Sequence, residues 1–66
     1  MKDLYRIKIL TNGRTNAEFT VELMSTEIDR FIQPIRNGNP RSNVNWENEM
    51  TGEDCEYEPI MNEQKF

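Results

Sequence analysis

Asn12-Gly13 lies between two stretches of alternating polarity, and no other feature constrains the fold of this chain as much. Asparagine and glycine both tolerate positive φ, which a two-residue type I′ turn needs if it is to match the twist of its flanking strands. On the amino side, residues 4–10 put Tyr5, Ile7 and Ile9 on one face and Arg6 and Lys8 on the other. Leu4 and Leu10 share the polar face. On the carboxyl side, Ala17, Phe19, Val21 and Leu23 alternate with Asn16, Glu18, Thr20 and Glu22. A period of two is what a half-buried strand requires, so the spacing predicts a hairpin over residues 4–23. Arg6 and Lys8 can then meet Glu18 and Glu22 on the exposed face; such pairs are individually weak but favour this register.

The period then changes. Ile28, Phe31, Ile32 and Ile35 recur at i, i+3, i+4 and i+7, predicting an amphipathic helix over 25–37 whose apolar stripe crosses the hairpin. Ser25 or Thr26 can cap its free N–H groups, with Glu27 and Asp29 near the positive end of the dipole. With Thr26 as cap, Asp29 takes the third helical position, a capping-box variant. Pro34 falls inside this segment, removing one N–H and crowding the Arg30 carbonyl, so a kink or a tightened turn is expected there. Asn37-Gly38 would end the helix in a left-handed residue, with Pro40 beyond it.

Residues 42–61 carry weaker signals. Ser42 to Glu47 alternates with Val44 and Trp46 on one side, which Met50 could extend; Thr51-Gly52-Glu53-Asp54 suits a turn. Cys55-Glu56-Tyr57-Glu58 alternates again, Pro59 marks a strand end or a sheet edge, and Ile60 and Met61 are candidates to close the core. Residues 62–66 read as a loose tail. The whole is a single α+β domain over 1–66, β-β-α-β-β, an antiparallel sheet with one helix packed on one face.

A chain of 66 residues buries only about 60% of the surface that its unfolded form exposes. Scaffolds of this size need a staple: disulfides, a metal or oligomerisation. Cys55 is the only cysteine and there is no histidine, so an internal disulfide and a soft-metal site are excluded, and self-association is the expected support. One unpaired thiol suits a reducing compartment. The amino end lacks the apolar core and small-residue cleavage site of a signal peptide, and no run approaches the ~18 apolar residues of a membrane span. The expected location is cytoplasmic. The starting Met1 and the compactness suggest a complete small gene product.

No catalytic set is visible. Histidine, the commonest general base, is missing, and Ser25 and Ser42 serve as well for caps and turns. Cys55 sits among Glu53, Asp54, Glu56 and Glu58, whose charges disfavour a thiolate, so a buried strand residue explains it better than a nucleophile. The same carboxylates lack the spacing of an EF-hand loop; a charged strand edge accounts for them without a metal. Gly13, Gly38 and Gly52 are isolated and open no helix, so there is no phosphate cradle. The sequence therefore predicts no enzyme activity, no metal and no cofactor.

Charge is uneven. The net charge of −4 combines +2 over residues 1–44 with −6 over residues 45–66. Direct nucleic-acid binding is disfavoured, because such domains are basic overall. An acidic segment keeps a small protein in solution, and it can also face a basic surface on a partner. Glu47, Glu49, Glu53, Asp54, Glu56 and Glu58 are the candidate contacts. Trp46 joins them as either a core keystone or an interface anchor, the alternation favouring core. Carboxylates on one face of a strand recur every ~6.6–6.8 Å, comparable with phosphates along a nucleic-acid backbone. The leading expectation is a non-enzymatic inhibitor or adaptor, like those of phage and prophage accessory genes. Its expected partner is a larger host protein, one that handles nucleic acid being the natural candidate. The alternatives are a homo-oligomer binding a small ligand such as a nucleotide through Arg6, Lys8, Arg36 and Arg41, and a structural or assembly subunit.

Overall fold

The computed structural model describes residues 1–61. Four strands form one antiparallel sheet: β1 (Asp3–Thr11), β2 (Arg14–Leu23), β3 (Asn43–Asn48) and β4 (Asp54–Tyr57). One helix, α1 (Ile28–Gly38), falls between β2 and β3 in the chain. The α+β class and the β-β-α-β-β order are as the periodicity predicts. The sheet order is β2-β1-β3-β4, so β1 is central and the α1 connection carries the chain past β1 to its far side.

The hairpin turns as the Asn12-Gly13 chemistry requires, with φ 53° at Asn12 and 81° at Gly13. Pairing runs from Asp3↔Leu23 to Thr11↔Arg14, with an irregularity near Ile9/Leu10. On the other side of β1, Ile7 faces Trp46 and Ile9 faces Val44. Tyr5, Ile7, Ile9, Val44, Ile28 and Ile32 form the buried core.

The helix lies over β3 and the core residues of β1, not across the whole hairpin. Eleven residues make a cylinder about 16 Å long and about 10–12 Å wide, enough to roof roughly two strands spaced about 4.8 Å apart. The apolar side of β2 is therefore partly bare. Phe19, expected inward, is 38% exposed.

Four local expectations are corrected. The helix begins at Ile28, not residue 25, because Ser25, Thr26 and Glu27 form a turn in which the Glu27 N–H donates to the Met24 carbonyl. Neither Ser25 nor Thr26 caps it: Glu27 is the N-cap without a side-chain bond, its carboxylate accepting instead from the Met24 N–H. At the other end Gly38 is not left-handed. Asn39 closes the helix, its amide Nδ2 donating to the Ile35 carbonyl and its backbone N–H to Arg36. Met50, Ile60 and Met61 add nothing to the core, being 65%, 48% and 50% exposed. The helix continues through Pro34, which is exposed, so the carbonyl that loses its donor lies on the solvent side. The expected tail of residues 62–66 lies outside the described residues.

The inward position after Trp46 belongs to Asn48, 1% exposed and opposite Tyr5. Its Nδ2 donates to Asp3 at 2.9 Å, and its Oδ1 accepts the N–H groups of Met50 and Thr51. Its backbone N–H donates to the Glu53 carbonyl and its carbonyl accepts from Gly52, whose φ of 84° the turn needs. A buried amide bonded in this way shapes the loop that delivers β4.

Candidate functional site

The sheet has one roofed and one open face. Alternation puts Arg6 and Lys8 of β1, Glu18 and Glu22 of β2, Asn43, Asn45 and Glu47 of β3, and Asp54 and Glu56 of β4 on the open side. The antiparallel register sets Glu47 opposite Asp54 and Asn45 opposite Glu56. Three of the candidate carboxylates, Glu47, Asp54 and Glu56, thus meet on two adjacent strands. They line a shallow open depression with Arg6, Lys8 and Asn45.

Charge on this face is arranged in bands. Arg6 bridges Glu18 at 3.1 Å and Glu49 at 2.9 Å, and these two carboxylates hold its guanidinium even more firmly protonated than usual, Glu49 having the larger effect. The expected cross-hairpin pairing is thus made by Arg6 diagonally to Glu18. Lys8 lies directly opposite Glu18, yet the ion pair belongs to Arg6. Glu47, Asp54 and Glu56 form no ion pair with any described residue; Glu56 accepts only a long bond, 3.3 Å, from the Asn43 amide.

The other candidate residues are dispersed. Glu53 is exposed in the β3–β4 loop, and Glu58 follows β4. Trp46 points to the roofed side, edge-on to Tyr5 with ring centroids 5.3 Å apart, and its indole N–H donates to the Tyr57 hydroxyl at 3.4 Å. It packs against the core. Cys55, half-buried, stands opposite Trp46.

The four cations of the ligand-binding alternative do not converge. Arg6 and Lys8 are on the open face, whereas Arg36 belongs to α1 and stacks over the Tyr57 ring at 5.0 Å while donating to the Glu58 carbonyl. Arg41 lies in the connection between α1 and β3. Among the described residues no cluster of His, Cys, Asp and Glu is arranged to hold a metal ion.

One polar group of consequence was not singled out by sequence reasoning. Tyr57 donates its hydroxyl to Asp29 at 2.6 Å, so the residue expected in a capping box instead ties α1 to β4. Burial first, then this bond to a carboxylate, push the Tyr57 hydroxyl up to about 12. No described helix is long and apolar enough to cross a membrane. Comparison with protein-family models, with curated proteins and with solved structures finds no match for the chain.

Proposed function

We propose that this is a non-enzymatic, cytoplasmic interaction protein, an inhibitor or adaptor of the kind found among phage accessory proteins. It presents its open acidic sheet face to a basic surface on a larger protein. The observation that carries this reading is the juxtaposition of Glu47, Asp54 and Glu56 on adjacent strands, none of them in an ion pair with a described residue. Carboxylates held on a sheet are pre-oriented, so a basic partner orders few side chains on one side of the interface. Charge complementarity of this kind contributes chiefly to encounter rate and partner choice. A cleft that otherwise holds nucleic acid fits the acidic repeat along β4, where Asp54 and Glu56 lie two residues apart. Glu49 supports the face indirectly by fixing Arg6, and Trp46 supports it from below as core.

The test is affinity capture from host lysate with nuclease present, comparing the wild type with the double variant D54K/E56K. The expected result is a basic protein retained by the wild type, released by salt and by competing DNA, and lost from the folded variant. Equal retention by both forms contradicts the reading.

A further inference from the structure

We infer that Glu18 and Glu49 are positioning residues that together hold the Arg6 guanidinium away from Glu47, keeping the acidic band open to a basic partner, an inference that rests on the function proposed above. In the sheet register Arg6 stands directly opposite Glu47, whereas the next outward cation of β1, Lys8, stands opposite Asn45. Residues directly opposite one another in an antiparallel pair have Cβ atoms about 4.5–5.5 Å apart, a gap that an arginine side chain spans with ease. Arg6 is therefore the natural counter-ion of Glu47, and both line the same open depression, yet they form no ion pair. Instead Arg6 Nε donates to Glu49 at 2.9 Å and Nη1 donates to Glu18 at 3.1 Å.

Bonds from two different nitrogens fix the plane and the direction of the rigid guanidinium fork, so it cannot turn to a third carboxylate without giving one up. A single exposed pair holds a side chain only weakly. Here one partner lies on β2 and the other just beyond β3, so Arg6 is held from both sides. The local electrostatics show what this arrangement forgoes. Glu47 also stands opposite Asp54, and like charges facing one another across a ladder oppose pairing. A bond from Arg6 to Glu47 would relieve that repulsion and help to close β4 onto β3. The chain directs its nearest cation elsewhere, and Glu47 is left exposed, in no ion pair with a described residue. A carboxylate in this state meets an incoming ammonium or guanidinium without first breaking an internal bond, which lowers the cost of association. Glu49 and Glu18 thus serve the acidic face by occupying Arg6, while Glu47 serves it by contact.

The test makes two measurements on the full chain, with circular dichroism checking that each variant is folded. The first follows the Arg6 Nε–Hε resonance by NMR, which reports the partner of the guanidinium. E47Q should leave this resonance in place in the wild-type background and move it in the E18Q/E49Q background, where Arg6 has turned to Glu47. The second is the affinity for a short oligolysine peptide. E18Q/E49Q should bind it roughly threefold or more weakly than E22Q/E27Q, which removes as many carboxylates from residues that do not pair with Arg6. An Arg6 resonance indifferent to E47Q in both backgrounds, or equal affinity in the two double variants, overturns the inference. Failure of the proposed partner reading shows separately, as equal lysate capture by the wild type and D54K/E56K, and leaves the Arg6 resonance result standing.

Discussion

The two outer strands of this sheet are held in opposite ways. β4 has four residues and β2 has ten, yet β4 is the better anchored to the rest of the molecule. Tyr57 ties it to α1 through Asp29, Arg36 lies over the Tyr57 ring, and the Glu58 carbonyl accepts from the same arginine. Asn48 orders the loop that leads into it. Carboxylates on its open side and Pro59 at its end then discourage any further strand. Among the described residues β2 has no comparable clasp: beyond its ladder with β1 it relies on the Arg6–Glu18 pair, the Asn16–Thr11 bond and partial packing of Val21 and Leu23. Strand length is therefore a poor guide to how firmly an edge is closed; ties to other elements decide it.

Breaking the β4 side should have the larger consequences. Asn48→Ala leaves the N–H groups of Met50 and Thr51 and the Asp3 carboxylate without their partner. The expected loss is about 2–3 kcal/mol in urea denaturation, the cost of orphaning buried polar groups. In a domain whose total stability is roughly 3–10 kcal/mol at this length, that is a large share.

Tyr57→Phe keeps the ring under Arg36 but removes the bond to Asp29, with an expected cost of about 1 kcal/mol near neutral pH. Its pH signature is more specific. The Tyr57 hydroxyl is raised from its ordinary value near 10 to about 12 in the folded protein. Between those values the unfolded chain has lost the proton that the native state retains, so stability falls as pH rises through this window. The wild type should therefore lose its advantage over Y57F between about pH 10 and pH 12. A constant difference across that range would show that the hydroxyl is not the linked group.

On the β2 side the smallest effect is expected. Glu18→Gln removes one exposed bond to Arg6, which keeps Glu49, so the denaturation midpoint of the monomer should not move measurably. A large shift would mean that β2 is clamped more firmly than its contacts imply.

Much of this architecture is legible in the residues. Asn12-Gly13 and the alternation around it give the hairpin and its open face because those signals are local. Asp54 and Glu56 fall on one side of β4 for the same reason. What escapes is set by non-local pairing. Glu47 joins them only through the register that places it opposite Asp54. Asn48, one more asparagine in a polar run, is buried only because β3 pairs with β1 opposite Tyr5. Phe19 is exposed although its pattern is that of a core residue, since periodicity reports which face is apolar but not how many strands one short helix can roof. Asp29 is a plausible cap by position, and the approach of Tyr57 redirects it.

Amide hydrogen exchange followed by NMR tests the contrast between the edges most directly. The account predicts that the β4 amides bonded to β3 are at least as well protected as the β2 amides bonded to β1, although β4 is the shorter strand. Faster exchange throughout β4 than in β2 would contradict it.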